Sequence, residues 1–529
     1  MDMNKLLKII ISLILFGIPL FSQQESQTKP LELPNYIIEG RGNVNIQGGV
    51  KQLPSKSIPL NKDELDSINS LQKEQSFLLP PKQVPNQITS RTYSKGFIRG
   101  EFGRFVTPLI ECGYGINTKG YNLFGTINLE GSQGFIINSE YFKSKINIMS
   151  EYFAPDSFWI YGGSKTLTNI SFDYRNINLY SISASPNRNF YNFSFDVISK
   201  GNFEGYEFKT GAGFEFLSLA NSGRNNSDRN FNGLIELKNN TFDFHPGLRL
   251  ALDLGSYRSI GSSFIDLSGF ADINLDKLKL NGELGLQYGS GSTNASFADI
   301  KIIFNSEYLI NSDFSIKSII ENKLQKYSFS SFAKINQYIS DSIDVLFNNI
   351  TQLKVSGYYH PEDNTFISTG LILGYGNRTP YFSNQDSSVF KIQYNSSVKF
   401  NYFIELDWRI GFDDILLMNF TFSSEKFTHN GKTLPYSEPL KIAINYSRKF
   451  FQKFGIVFGI TYVNQRYADN INQIKLKGYF DPAFVLKWTF DDRFDANISV
   501  QNMFNSDIYH WNGYKERNLF ISAGIKYKL

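Results

Sequence analysis

Few residues in this sequence are of the types that carry out chemistry, and they lie far apart. The four histidines are His245, His360, His429 and His510, and none stands at metal-ligand spacing from another histidine or from the single cysteine. Zinc and iron sites built on histidine need such clusters, so we predict neither a metal site nor another cofactor. A catalytic Ser–His pair could form only from residues distant in the chain, and no serine is distinguished by its neighbours in the sequence. An enzyme is therefore the least supported function, and no catalytic residue is predicted.

The single cysteine, Cys112, has no second cysteine with which to form an internal disulfide. It alternates with Ile110, Tyr114 and Ile116, a spacing that places all four side chains on one face of a strand. We therefore interpret Cys112 as a small apolar residue of a lipid-facing surface rather than as a reactive thiol.

Charged residues recur at alternate positions of several apolar segments. Arg249 and Asp253, for example, alternate with four leucines between positions 248 and 254. Strand side chains alternate between two faces, so the charges share one face and the leucines the other. We predict that nine such charges line the interior of a closed sheet: Arg249, Asp253, Lys279, Glu283, Glu405, Asp407, Arg409, Lys526 and Lys528. Their mixed sign is typical of a hydrated lumen without strong ion preference, or of a lumen held by ion pairs.

The elements that must position these charges are β-hairpins. The clearest hairpin runs from Phe264 to Tyr288, where apolar residues keep one face on both sides of a tight turn at Asp276-Lys277. A slip of one residue would move its charges onto the apolar face, so the register is strongly set. A soluble sandwich also alternates, but repeated charged faces and aromatic strand ends favour strands that lie between lipid and water.

Composition supports a membrane protein without membrane helices. Aromatic residues make up 16% of the 529 residues, mean hydropathy is −0.26, and after residue 22 no apolar run approaches the length of a spanning helix. Backbone amides in lipid must be satisfied internally, which leaves a closed antiparallel transmembrane β-barrel as the all-β fold. The net charge of +4 comes from 53 basic and 49 acidic residues without a dense basic stripe, so nucleic acid is not a predicted partner.

Length predicts the size of the barrel. Residues 95–529 at about 20 residues per strand and connection give about 22 strands, with 18 to 24 allowed. Short connections at one end are read as periplasmic: 276–277, 449–453 and 491–493. Longer polar ones are read as extracellular: 219–229, 424–438, 464–474 and 505–516. This order conflicts with a further long connection at 377–387 unless residues 388–411 form one overlong strand.

The region before the barrel divides into two parts. Residues 1–22 combine a basic start with a short apolar run, the pattern of a secretory signal peptide. Residues 23–94 form a Pro-rich periplasmic arm, in which 63–79 show the spacing of one short amphipathic helix. A periplasmic or envelope protein is a possible partner for this arm, and a marginal helix in a linker is the alternative.

The last thirty residues resemble a known family. The segment Asn502–Asn505, the loop through Trp511 and Tyr514, and the strand Gly524–Leu529 are similar to the closing hairpin of TonB-dependent receptor barrels. The resemblance implies a barrel in the outer membrane of a Gram-negative cell, in contact with outer-membrane lipid, for solute passage or uptake.

The same resemblance implies a partner in assembly. The terminal strand is similar to the signal read by the barrel-assembly machinery, which would recognise Gly524, Tyr527 and Leu529. The chain departs from the family at its start, because TonB-dependent receptors carry a plug domain and residues 23–90 are too few for one. We expect either a plug-less relative or a short stopper in the lumen. The alternative to uptake is a non-transporting scaffold whose arm docks an envelope partner.

Overall fold

The computed structural model describes residues 96–529 except 119, 183–185, 222–223, 259, 292–295, 343, 345, 363, 385–388, 411–413 and 452. The predicted signal peptide (1–22) and Pro-rich arm (23–94), with its expected helix, lie outside the described residues. Within the described part of the chain, no helix is long and apolar enough to cross a membrane.

Twenty-two strands form one antiparallel sheet. The first eleven are β1 (Gly96–Gly103), β2 (Thr107–Asn117), β3 (Tyr121–Ser132), β4 (Tyr141–Phe153), β5 (Lys165–Asn178), β6 (Asn187–Phe203), β7 (Tyr206–Asn221), β8 (Arg224–Asn239), β9 (Pro246–Tyr257), β10 (Ile260–Asn274) and β11 (Leu278–Ser290). The next eight are β12 (Ser296–Leu309), β13 (Phe314–Lys326), β14 (Phe347–Glu362), β15 (Thr365–Ser383), β16 (Lys391–Ile410), β17 (Asp414–Phe427), β18 (Leu440–Phe450) and β19 (Phe454–Val463). The last three are β22 (Tyr479–Thr489), β23 (Phe494–Gln501) and β26 (Phe520–Lys528). The predicted strand number of about 22 is confirmed.

Short elements lie in the connections. Strand β20 (Arg466–Tyr467) pairs with β21 (Lys475–Leu476), and β24 (Tyr509–Trp511) pairs with β25 (Tyr514–Lys515). One α-helix, α1 (Phe329–Ile335), follows β13, and a 3-10 helix (Trp159–Tyr161) precedes β5.

The barrel closes where its last strand meets its first. Strand β26 pairs with β23 on one side and with β1 on the other, so that Gly524 lies opposite Glu101. A Cβ at Gly524 would stand 2.9 Å from both the Glu101 Cβ and the Gly100 carbonyl oxygen. The glycine therefore permits the close approach of the two strands that complete the ring.

The predicted alternation of faces is confirmed in the hairpin β10–β11. Leu267, Leu284 and Leu286 are exposed on the outside, whereas Asp266 and Glu283 are buried on the inner face. The turn joins Leu275 to Leu278 by a backbone hydrogen bond of 2.8 Å, which leaves positions 276–277 at its tip as expected. A continuous belt of exposed apolar residues on a closed sheet needs lipid around it, which places the chain in the outer membrane.

The two ends of the barrel differ in their connections. At one end, called the turn end, most connections are tight, although 154–164 is longer; the opposite loop end carries 327–346, 428–439, 464–478 and 502–519. The conflict at 377–387 disappears because β16 is a single strand of twenty residues, and the connection before it, 384–390, lies at the loop end.

The expected long connection at 219–229 is wrong. Strands β7 and β8 continue to Asn221 and from Arg224, so most of that polar stretch belongs to the ladder. Polar side chains there indicate strands that project beyond the lipid while the backbone pairing continues.

Candidate functional site at the loop end

The inner wall of β8–β12 carries a chain of ion pairs. Arg249 reaches Glu236 at 2.9 Å and Glu283 at 2.8 Å. Lys301 lies 2.7 Å from both Glu283 and Asp266, so two bases share three acids across neighbouring strands. Each buried carboxylate has a basic partner within hydrogen-bond distance, which offsets much of the cost of its burial.

Other predicted lumen residues lie on the same inner face with partners of their own. Asp253 pairs with Lys326, and Lys528 pairs with Asp495 at 2.8 Å. The ammonium of Lys526 lies 4.0 Å from the centre of the Phe97 ring.

The remaining members of the predicted set lie on β11 and β16. Glu405 accepts a hydrogen bond of 2.8 Å from Ser368. Lys279, Asp407 and Arg409 lie towards the turn end of their strands, on the side opposite the exposed Trp408 and Leu284. The structure thus distributes the nine residues along the barrel rather than gathering them in one site, and their role in the lumen stays a prediction.

Two connections fold inward over the loop end, and we call residues 327–346 and 502–519 together the cap. The first contains α1, whose start is set by a reciprocal pair of serines: Ser328 Oγ accepts from the Ser331 backbone N–H, and Ser331 Oγ accepts from the Ser328 N–H, both at 3.0 Å. This capping box satisfies two of the N–H groups that a helix start leaves unpaired.

Helix α1 packs inside the barrel wall. Its Phe332 has no exposed surface and joins one buried cluster with Leu217 and Leu219, which face inward from β7. The Phe329 ring stacks on Tyr257 of β9 with centroids 4.7 Å apart. The apolar face of the helix therefore covers the inner wall of β7–β9.

Polar contacts fasten the helical connection to the same wall. Arg188 of β6 donates to Asn221 at 2.8 Å and to the carbonyl oxygens of Gln337 and Ile339. Asp228 of β8 accepts from the Ser330 N–H at 2.8 Å. Because Arg188 and Asp228 are buried, these bonds replace water that the groups would otherwise need.

A salt bridge adds to these contacts. Lys334 near the C-terminus of α1 reaches Glu215 of β7 at 2.6 Å. A cation there also interacts favourably with the helix dipole. The helical connection is thus tied to strands β6, β7 and β8.

The second half of the cap, residues 502–519, meets the first through aromatic rings. Tyr514 has no exposed surface and stacks on Tyr338 with centroids 3.6 Å apart. Tyr180, from the connection after β5, meets Tyr514 edge-on at 5.1 Å and donates to the Lys515 carbonyl oxygen at 2.8 Å. An edge-on pair such as Tyr180–Tyr514 contributes about 0.5–1.5 kcal/mol beyond burial.

The cap reaches across the barrel. The Trp511 ring lies 4.9 Å from Phe382 and 5.2 Å from Phe390, next to β15 and β16, whereas Leu217 and Phe190 belong to β7 and β6. Strands β6 and β16 are ten apart in a ring of 22. Side chains from nearly opposite walls therefore meet in one apolar layer that spans the loop end of the lumen.

Residues 502–519 rest on a buried polar seat. Arg466, which is 1% exposed, donates to the carbonyl oxygens of Tyr509 and His510, the latter at 3.0 Å. Burial lowers the pKa of the Arg466 guanidinium to about 10, so the group remains charged at neutral pH. Burial, together with Arg466, holds the pKa of His510 well below its ordinary value, so its ring is neutral.

The histidines form no common site. Among the described residues, no group of three or more His, Cys, Asp or Glu side chains could hold a metal ion. His245 lies in the turn before β9 with a φ of 30°, and His510 lies in the short β24 of the connection 502–519. Cys112 is partly exposed between the outward-facing Ile110 and Tyr114, as expected.

Sequence reasoning missed the cap. Ser328 and Ser331 have the spacing of a capping box, but α1 is only seven residues long and gives too little helical periodicity. Tyr338 and Tyr514 are 176 positions apart in the chain and show no shared pattern. The sequence predicts a long connection at 505–516, and its aromatic residues carry part of the resemblance, but neither shows that this connection folds inward.

Comparisons with known proteins agree with this architecture. No family model and no curated protein matches the sequence. Similar solved structures include the FrpB iron transporter from Neisseria meningitidis (F3-3 variant), with a TM-score of 0.63 and 11% identity over 82% of this chain and 81% of that one. The ferric-catecholate import receptor Fiu from K12 E. coli has a TM-score of 0.63 and 8% identity over 83% and 82% of the two chains. The copper transporter OprC has a TM-score of 0.63 and 10% identity over 82% and 79%.

These neighbours are transporters or receptors, and at such identities they show the fold alone. Together with the closed ring of 22 strands, they confirm the resemblance drawn from the last thirty residues at the level of architecture. The chain is therefore an outer-membrane β-barrel with the fold of the TonB-dependent receptor barrels.

Proposed function

We propose that this barrel passes a solute across the outer membrane through its lumen, and that the cap is the gate at the loop end. The observation that carries the proposal is the contrast between a polar inner wall and an apolar layer across its mouth. A charged, hydrogen-bonded interior suits water and polar solutes. The stacked rings of Tyr338 and Tyr514 stand in the path of such a solute.

The orientation follows from the connections. Tight turns at the end where β26 finishes, and longer connections opposite, support a periplasmic turn end and an extracellular cap. A solute from outside would then meet the cap before the charged wall. Similarity to a barrel whose name describes import, the ferric-catecholate import receptor Fiu, supports uptake as the direction of passage.

Liposome swelling tests this function. The full chain is compared with a variant in which residues 328–345 are replaced by a short Gly/Ser turn, using a graded series of neutral sugars. We expect slow swelling for the full chain and rapid, size-limited swelling for the variant. A variant that folds and yet admits no sugar would contradict solute passage.

A non-transporting scaffold is the second candidate, and the paired charges of the inner wall favour it. Arg249, Glu283 and Lys301 satisfy one another and leave little free charge to attract a solute. In that case the arm at 23–94 would dock an envelope partner. Capture of a periplasmic protein by the full chain, lost when residues 23–90 are removed, would support the scaffold.

Assembly through the terminal strand is a further part of the proposal. Tyr527 packs on Phe494 with centroids 4.9 Å apart, and the Leu529 N–H bonds the Gly96 carbonyl oxygen at 2.9 Å. Recognition of Gly524, Tyr527 and Leu529 by the barrel-assembly machinery is supported by the resemblance of this strand. Loss of outer-membrane insertion in a variant with Tyr527→Ala, when the same variant still refolds in detergent, would separate recognition from stability.

A further inference from the structure

The two halves of the cap are held in different ways. Residues 327–346 are tied to the wall by Arg188, Asp228 and Glu215, whose polar partners lie in the cap itself. In residues 502–519, β24 rests on Arg466, which belongs to the neighbouring connection 464–478. The rest of this half is held by Arg517, which reaches Tyr141 and Glu130 on the wall, and by the hydrogen bond from Tyr180 to the Lys515 carbonyl oxygen. The polar support of β24 from outside the cap is therefore one buried cation.

The hydrogen-bonding groups of Arg466 and of the neighbouring His510 are incompletely satisfied. The Nε and one terminal nitrogen of Arg466 have no hydrogen-bond partner among the described residues, and neither has either ring nitrogen of His510. Both side chains are almost fully buried, at 1% and 3% exposure. A buried polar group without a partner costs about 1–3 kcal/mol, and more when it is charged. Release of residues 502–519 to water would remove this cost.

The charges around the seat are of both signs. Glu438 and Glu516 act electrostatically on Arg466, and each has a second basic neighbour: Glu438 lies 3.8 Å from Lys441, and Arg517 acts on Glu516. Tyr479 is uncharged and lies edge-on to the neutral His510 ring at 5.5 Å. What remains is the guanidinium of Arg466, whose donors now point at the carbonyl oxygens of Tyr509 and His510.

We propose that Arg466 is a concealed binding site for an anionic oxygen group of the solute, and that its occupation releases β24, with Trp511, from its packed position in the cap. The carbonyl oxygens of Tyr509 and His510 occupy the positions that carboxylate or phosphate oxygens would take beside the guanidinium. A charge-assisted hydrogen bond is roughly twice as strong as one to a neutral acceptor, so an anion competes well for these donors. The solute binds the released state and shifts the population towards it. This inference rests on the proposed function, because it identifies the solute class that opens the gate.

Trp511 reports the position of residues 502–519. Its indole packs among Phe382, Phe390 and Tyr436 and would enter water on release. The experiment titrates the detergent-solubilised full chain with sodium phosphate, and separately with sodium acetate, at an ionic strength held constant with sodium chloride. The Trp511 signal is the difference between the chain and its Trp511→Phe variant.

We expect the Trp511 emission to shift to the red and to saturate with phosphate, with acetate, or with both; the anion with the lower half-saturation identifies the preferred group. Arg466→Gln should be red-shifted without added anion and should not respond further. Arg466→Lys keeps the charge but loses the planar fork, so it should need about tenfold more anion. Arg448→Gln, at the turn end, should match the unaltered chain.

No response of Trp511 to either anion would overturn the proposal, as would an Arg466→Gln variant that responds like the unaltered chain. If that variant does not form the heat-modifiable barrel, Arg466→Lys decides, because an unchanged half-saturation then contradicts the role of the fork. The readout is independent of transport. A barrel that never admits a solute would contradict the proposed function and leave the Trp511 response intact.

Discussion

Basic side chains support both the inner wall and the cap of this barrel, but they pair with different groups in the two regions. On the wall, Arg249 and Lys301 pair with carboxylates one or two strands away, on strands whose backbones are already joined by a continuous ladder. In the cap, Arg188 and Arg466 donate to carbonyl oxygens of connections that have little ladder of their own. The wall is therefore a permanent structure, and the cap is attached to it by a small number of separable contacts.

This difference indicates where motion can occur. Breaking a wall contact leaves the strands still joined by the backbone ladder along their whole length. Breaking a cap contact loosens a segment whose remaining support is a few side-chain contacts and aromatic packing. We expect the cap to open by local unfolding while the barrel stays closed.

The largest effect is expected on the wall, at Glu283. Glu283→Ala removes the carboxylate that Arg249 and Lys301 share, which should cost about 3 kcal/mol in the free energy of unfolding, the lower end for a broken buried pair, because Glu236 and Asp266 still face the two bases. Urea denaturation of the detergent-solubilised barrel measures it. Lys279→Gln, which alters an exposed residue near the turn end, should stay within about 0.5 kcal/mol of the unaltered chain.

The next effect is expected in the cap. Arg188→Ala leaves the Gln337 and Ile339 carbonyl oxygens without their donor and should cost about 2–3 kcal/mol locally. Hydrogen exchange should show faster exchange at the α1 amides with unchanged protection in β11 and β12. Equal loss of protection in the cap and the wall would show that the two unfold as one cooperative unit and would contradict a separately opening cap.

A third prediction concerns the seam that closes the wall. Gly524→Ala places a Cβ 2.9 Å from the backbone oxygen of Gly100 and should cost about 1–3 kcal/mol. Gly100→Ala is the matched control, because nothing lies within 4 Å of its added Cβ. The fraction of chain that keeps folded mobility on a gel after heating compares the two variants. Equal effects would contradict a packing role for Gly524.

Sequence alone could predict the wall because the wall is periodic. Alternation around Leu248 and Leu286 repeats in hairpin after hairpin, and one wrong register would place charges in lipid. The ion pairs were predicted only as one of two alternatives, since alternation fixes the face of Glu283 but not which base it meets.

The cap could not be predicted because its contacts are non-local. Tyr338 and Tyr514 meet only after 22 strands have closed the ring, and their connections have no period to reveal a direction. The prediction of a long connection at 219–229 was wrong for a related reason. Polar residues indicate contact with water, but they do not show where the pairing of two strands ends.

The smallest effect is expected from pH. Burial raises the pKa of Glu516 to about 7 from its ordinary value near 4.5, although Arg517 opposes the shift. The packed state of residues 502–519 thus binds this proton more tightly than the released state. The stabilisation is present below about pH 4.5 and is lost as pH rises through 7.

His510 contributes with the opposite sign, because burial lowers its pKa and acid favours the released state. The difference between the unaltered chain and Glu516→Gln isolates the carboxyl contribution. Across this range the Trp511 emission should show a loss of packing with rising pH that comes from Glu516, and Glu516→Gln should keep only the opposite contribution of His510. A dependence that survives in Glu516→Gln with the same sign would assign it to another group.

The most direct test of the cap as a gate is single-channel current in a planar bilayer, with the arm present in every sample. We expect the full chain to be closed for most of the record and the variant lacking residues 328–345 to show large, steady current. Equal current in the two proteins, whether large or absent, would contradict the claim that the cap closes the barrel.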